Sequence, residues 1–398
     1  MGPDPIRIRD RLAPATVALV AAALMSSLAG CLSTGDDPQS LSAPCLAGSD
    51  SGAAKSERPA LVALFEDNLL VRSTVPGGKV EAERRLGPRA QGGASDDPNL
   101  SLPGRLLAPG PGGATVLALV RQPAGMRDAV AVVDATTLRV RCRYPLERGI
   151  RYRGLALGSS GRIYAFGNRQ AGDPKRLAAA LTVIDSADGA LVESRIVRAP
   201  NDNWFVWWGA ISPDERHLAL SYHGDSTSGA DLFDLSDGTV RRCRSNGCGA
   251  DYVGEVHGAL EAFGRGFLAT TGSDMLQGAW DGDVVRRLSV RAAHDHLMDF
   301  ALDADRSKLY VSSCGLRPGI HRLDLAGNGL SDLPSGHLCG APLAVFGDRY
   351  LALAATRVDD AGVPGVPDRL QLLRLGNTGA GTRVPGSGAP QDAIFVVP

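Results

Sequence analysis

Beyond its first thirty residues, the 398-residue chain has no apolar run that approaches a membrane span, since a spanning helix takes about 20 apolar residues. It carries almost no net charge: 42 Lys and Arg stand against 43 Asp and Glu, a formal −1. That balance leaves no electrostatic case for a nucleic-acid partner or for acidic lipid head groups. Met and Lys are scarce, and no segment shows a convincing helical period. There is no Gly-x-Ser-x-Gly elbow, and no Ser or Cys stands out beside a matched base, which counts against nucleophilic catalysis. Gly and Pro are abundant instead, 49 and 25 residues. That profile suits short strands joined by tight turns.

The N-terminus carries a targeting pattern. Arg7, Arg9 and Arg11 form a charged leader, and an apolar run from Leu12 to Met25 follows, the layout of a secretory signal. Small residues then appear in Leu28-Ala29-Gly30-Cys31. This tetrad resembles the lipobox of bacterial lipoproteins. The resemblance implies cleavage before Cys31, acylation of that cysteine and a lipid-anchored, extracytoplasmic place in the bacterial cell envelope. Acyl chains contribute roughly 0.8 kcal/mol per buried methylene, so two or three would hold the protein on a membrane. Residues 32–59 are rich in Ser, Gly, Asp and Ala, with almost no large apolar residue. Expected boundaries are therefore a signal peptide at 1–30, a flexible tether at 31–59 and a folded domain at 60–398.

An internal repeat decides the expected fold. Its unit is an apolar strand, an Asp, a turn and a second strand: AVAVVDATTLRVRCRY at 129–144, LTVIDSADGALVESRIV at 181–197, ADLFDLSDGTVRRCR at 230–244. Two more copies run over 276–290 and 320–334, and looser ones over 69–86 and 370–385. The aspartates Asp134, Asp185, Asp234, Asp281 and Asp324 recur at intervals of 51, 49, 47 and 43. A second hairpin sits between copies, as in YRGLALGSSGRIYAFG at 152–167 and WWGAISPDERHLALSY at 207–222. Two hairpins per period make four antiparallel strands, a unit that must stack on its neighbours to bury both faces.

The ends of the domain complete the pattern. Residues 391–396 look like a first strand with no second after it, and 60–65 like a second strand with no first before it. The expectation is an all-β, seven-bladed β-propeller closed by one blade shared between the termini. Its Val-Ile-Asp and Ser-Pro-Asp motifs resemble the YVTN/lactonase-like and TolB-like propeller repeats. Such a resemblance speaks to architecture more than activity, because propellers host unrelated functions.

The repeat aspartates lie at strand ends before turns, where Asp caps the backbone, so they are read as structural. Removing Cys31 leaves six cysteines, an even number in an exported chain, and disulfides are expected. Fifteen connectivities are possible. Cys243 and Cys248 bracket a short loop, Cys314 and Cys339 fall on one propeller face, and Cys45 and Cys142 remain as a third pair. Metal binding by Cys243 and Cys248 with His257 is the weaker alternative. So is a site built on His294 and His296, so no metal or other cofactor is expected.

The links between blades hold His257, His294, His296 and His337, with Trp204, Trp207 and Trp208. Arg153, Trp208, His257, His296 and His337 are expected to ring the channel mouth, since aromatic, Arg and His side chains at a rim suit recognition. The function expected is non-enzymatic binding of an envelope protein, peptide or glycan. The alternative is a lactonase-like hydrolase or lyase using the channel-mouth histidines.

Overall fold

The computed structural model describes residues 59–88, 105–110, 113–123, 126–202, 204–224, 228–242, 259–270, 274–289, 297–303, 305–313, 319–326, 329–333, 339–356, 367–376 and 381–397. They form seven four-stranded antiparallel sheets, the blades of a propeller. From the channel outward, blade 1 is Pro390–Val396, Ala60–Phe65, Leu69–Thr74 and Val80–Arg85. Blade 2 is Leu107–Pro109, Thr115–Val120, Ala129–Asp134 and Val140–Pro145, and blade 3 is Ile150–Leu157, Arg162–Ala171, Asp173–Asp185 and Leu191–Asp202. Blade 4 is Trp204–Ile211, His217–Gly224, Ser228–Asp234 and Val240–Arg242. Blade 5 is Leu260–Phe263, Gly266–Thr270, Asp274–Ala279 and Val284–Ser289. Blade 6 is Leu297–Leu302, Lys308–Ser313, Gly319–Asp324 and Leu330–Leu333, and blade 7 is Cys339–Phe346, Tyr350–Thr356, Arg369–Arg374 and Thr382–Val384.

The ring closes as the two chain ends suggest. Ala60 pairs with Val396, and the register runs through Val62 on Ile394 to Leu64 on Asp392. Ala60–Phe65 is wholly apolar and every residue of it is buried, as a strand covered on both faces must be. Blade 1 therefore takes its inner strand from the far end of the domain.

The repeat aspartates cap turns. Asp134 Oδ1 accepts the Thr136 and Thr137 amides at 3.0 and 2.9 Å. Asp185, Asp234, Asp281 and Asp324 each accept the amide two residues on, at 2.8, 2.8, 3.1 and 2.9 Å. Four residues past the first three lie Leu138, Gly189 and Gly238, all left-handed at φ 57, 76 and 74. Glycine meets that requirement without strain, and Leu138 meets it at a cost.

Neighbouring blades are stitched at two levels. Outer-strand donors reach turn carbonyls of the next blade: Tyr144 to Ser186 at 2.7 Å, Arg195 to Leu235 at 3.3 Å and Arg286 to Leu325 at 2.7 Å. Nearer the channel, Tyr164 donates to Glu215 at 2.7 Å and Tyr310 to Asp348 at 3.1 Å. Each is a second-strand tyrosine meeting a carboxylate on the next blade's inner hairpin turn.

One stretch departs from expectation. The segments 167–180 and 198–208, with Gly, Asp and Pro among them, read as long loops, yet they are largely strand. Arg162–Ala171 and Asp173–Asp185 form a long hairpin about Gly172, which is left-handed at φ 73. Leu191–Asp202 follows it as the third long strand. The ladder continues because bulges, such as those on either side of Ala179, absorb irregular spacing. Among the described residues, no helix is long and apolar enough to cross a membrane.

Candidate functional site

Five inner strands shift register against their second strands in the middle of their course. The extra residue falls at Arg153, at Trp207, within Met298–Asp299, at Leu343 and at Gln391. A bulge bends the strand and re-aims its side chains, which is why bulges gather beside functional sites. Here they lie on inner strands around the channel, which is crossed by a cluster of charged side chains.

Arg105 is its centre. The residue lies just before Leu107–Pro109, and its own carbonyl accepts the Leu155 amide of blade 3 at 2.8 Å. Its guanidinium sits 3.5 Å from Asp392 Oδ1 in blade 1 and 3.4 Å from Glu261 Oε2 in blade 5. It also donates to the Leu343 carbonyl in blade 7 and lies 6.0 Å from the centre of the Trp208 ring in blade 4. Groups on blades so far apart in ring order meet only across the channel. At this level the channel is therefore filled by Arg105.

Two of the carboxylates around it, Asp392 and Asp299, are held away from water. Asp392 Oδ2 accepts the Leu106 and Leu107 amides at 2.7 and 2.8 Å, fixing the chain from which Arg105 projects. Burial pushes the Asp392 carboxyl up, against the opposing pull of Arg105 and three backbone amides. Asp299 accepts its neighbour's Phe300 amide at 2.6 Å. Burial pushes Asp299 up to about 8; Arg105 opposes the rise, and Asp392 and Glu261 add to it. Burial disfavours charge on Arg105 itself, yet Glu261, Asp392 and Asp299 together hold its pKa above the ordinary arginine value. Arg306, more exposed, reaches Glu261 from blade 6 at 3.5 Å. The cluster is an internal ion network in which Asp299 keeps its proton at neutral pH.

Two expected mouth residues are walls rather than rim. Arg153 is 2 % exposed and lies over the Phe205 ring at 5.7 Å. Trp208 is 7 % exposed and packs in one cluster with Ala210, Leu260 and Phe300. Both sit on strands whose bulges turn residues inward, and a large ring beside a filled channel buries more area than it would at a rim. His257, His294, His296 and His337 lie outside the described residues, as do Cys31, Cys45, Cys243, Cys248 and Cys314. Cys339 begins the inner strand of blade 7. Cys142 lies on the outer strand of blade 2. Among the described residues, no group of three or more His, Cys, Asp and Glu is arranged to hold a metal ion.

Blade 6 contains a constellation the sequence does not reveal. Ser313 Oγ lies 2.9 Å from His321 Nε2, and His321 Nδ1 lies 2.7 Å from Asp332 Oδ1. A carboxylate only accepts, so the Asp332 bond places the proton on Nδ1 and leaves Nε2 to accept from Ser313. The three residues sit on successive strands, with His321 paired directly with Asp332. This is a serine matched to a base, contrary to expectation. Ser313 is wholly buried, however, and His321 nearly so, while Asp332 faces solvent. Equivalent third-to-fourth-strand pairs recur as Arg72 with Glu81 and as Arg286 with Gln277.

Fold and cluster together define a seven-bladed β-propeller with a channel crossed by an ion network. No protein-family model and no curated protein matches the chain. Among solved structures it is similar to apo AztD from Citrobacter koseri, at 12 % identity and TM-score 0.47, covering 85 % of this chain and 97 % of that one. It is also similar to Kuenenia stuttgartiensis hydrazine synthase, at 15 % identity and TM-score 0.43, covering 69 % and 80 %. At such identities the likeness is one of fold alone.

Proposed function

We propose that the chain is a lipid-anchored protein of the bacterial envelope that binds a protein, peptide or glycan through one propeller face and catalyses no reaction on it. The observation that carries this reading is Arg105 across the channel. Asp392 and Glu261 are paired with an internal cation, which leaves them unsuited to acid–base work on a substrate. The faces of the ring supply the remaining surface. One face has short hairpin turns such as Gly158–Gly161, and the other carries the long strands of blade 3. Loops and strand ends held on a rigid scaffold are common binding surfaces.

Two experiments test it. A photo-crosslinker at Gln170, on the long blade 3 hairpin, should capture one defined envelope partner in the native membrane, while one at Arg265, on a short turn, should not. Capture from Arg265 alone would place binding on the other face. For the anchor, Cys31→Ala should move the protein from the detergent phase to the aqueous phase. Intact mass of the wild type should show acyl chains on a terminus at Cys31. A different, unlipidated terminus would end the anchoring proposal.

The Ser313–His321–Asp332 geometry favours a second reading, a serine hydrolase in which His321 takes the serine proton and Asp332 orients the ring. A fluorophosphonate probe should then label Ser313, and Ser313→Ala should remove the label. If the wild type stays unlabelled, the three residues form a structural relay, as the burial of Ser313 and His321 favours.

A further inference from the structure

Arg121 is an arginine whose surroundings leave a specific deficit. It follows the strand Thr115–Val120 of blade 2, and blade 1 clamps its backbone. Its amide donates to Asn68 Oδ1 at 2.9 Å, and its carbonyl accepts from Asn68 Nδ2 at 2.7 Å. The point from which its side chain departs is therefore rigid. Yet its Nε and Nη2 are buried with no hydrogen-bond partner among the described residues. Buried polar groups are nearly always paired, and an orphaned cationic donor is among the costliest exceptions.

The nearby charges do not make up the deficit. Asp128 is the acid that faces Arg121, but its Oδ1 accepts the Gln122 amide at 2.9 Å, and it also accepts from the Tyr152 backbone. Arg151, exposed on the inner strand of blade 3, brings a second positive charge to the same place. Burial, and then Arg151, lower the Arg121 pKa to about 10, while Asp128 works the other way. Two guanidinium groups against one carboxylate leave one positive charge uncompensated.

We infer that Arg121 and Arg151 form an anion-binding site at the junction of blades 2 and 3, which receives a carboxylate of the partner. A guanidinium fork matches a carboxylate bidentately, and a carboxylate brings the single negative charge that the site lacks. Arg151 faces solvent and gives the anion its approach. Arg121, fixed by Asn68, supplies donors that need no ordering at the moment of binding. Both lie on the face that carries the links between second and third strands. The partner's identity as an acidic peptide rests on the binding reading above, whereas the anion site itself does not.

The test uses the detergent-extracted full-length protein, with acetate and methyl sulfate as probes and chloride balancing the ionic strength. A ligand that binds only the folded state raises the melting temperature. Acetate should raise it saturably, and Arg151→Gln should weaken the apparent affinity at least about tenfold. Because Arg151 is exposed, that variant should fold. Arg148→Gln, an exposed change three residues earlier, should respond like the wild type. No saturable response to acetate, or one that survives Arg151→Gln, would overturn the site. A response to methyl sulfate that exceeds the acetate response would replace the carboxylate with a sulfated glycan. None of these outcomes touches the crosslinking test, so the two proposals fail separately.

Discussion

The Arg105 guanidinium lies 3.5 Å from the Asp392 carboxylate, joining a residue that opens blade 2 to one on the last strand of the chain. The other oxygen of Asp392 holds the amides of Leu106 and Leu107. Closure of the ring thus has two parts: a strand ladder between the termini and an ion pair just inside it.

Arg105→Met should test the ion pair. Removing one member of a buried pair strands the other, typically costing about 3–5 kcal/mol. The loss should be greater at pH 8 than at pH 5, because burial pushes the Asp392 carboxyl up and falling pH favours its neutral form. Denaturant midpoints at the two pH values measure it. Equal losses at both would mean that Arg105 does not serve as counter-ion to Asp392.

Asp299 makes the wild type itself pH-dependent. Its carboxyl is pushed up to about 8 in the fold, whereas in the unfolded chain it ionises near its ordinary value of about 3.9. Between those values the native state holds a proton that the unfolded state has lost. Stability should therefore fall as pH rises through this window and level off above it, by at most about 1.4 kcal/mol per pH unit. Asp299→Asn stays neutral throughout and should flatten that slope. An unchanged slope in the variant would assign the dependence to another group.

Deleting residues 391–398 should expose one edge of Ala60–Phe65 and remove the inner strand of blade 1. It also removes Asp392, leaving Arg105 without that partner. Unpaired apolar edges aggregate, so the truncated chain should be insoluble or melt far below the parent. A truncation that melts like the parent would contradict the shared blade.

Trp208→Ala serves as a placement test. A rim residue would leave the melting temperature nearly unchanged. A tryptophan buried beside Ala210, Leu260 and Phe300 should cost about 3–5 kcal/mol. Urea denaturation distinguishes the two, and a change under about 0.5 kcal/mol would restore the rim assignment.

Much of the fold was legible because its signals are local. The Asp before each turn caps an amide two residues away, and Gly189 and Gly238 occupy the left-handed positions those turns create. Alternating apolar strands separated by such turns announce hairpins, and their recurrence announces blades. The unmatched strands at the two ends stood out because every internal blade had four. Blade 3 was misread for a related reason. Gly172, Asp173 and Pro174 look like a loop locally, but Gly172 is only the turn of a hairpin, and from Arg176 the chain pairs as a strand with Leu191–Asp202.

The candidate site was far less legible. Trp208 and Arg153 were noticed as residue types, but nothing in their neighbours in sequence shows which way a bulge turns them. Ser313, His321 and Asp332 lie 8 and 11 residues apart, spacings with no meaning until three strands are in register. Arg121 looks like any other arginine near a loop until Asn68, from another blade, is seen to hold it.

By itself the sequence determined the hairpin, the turn chemistry, the number of repeats and which ends must pair. Each of these depends on residues a few positions apart, or on one strand lacking its neighbour. The tertiary structure alone decided that the channel is filled and by what. Arg105 meets Glu261, Leu343 and Asp392 only after seven blades have closed, and desolvation of Asp299 is a property of the finished ring. A charge has one solvation in the open chain and another beside six other blades, and no local pattern encodes that difference.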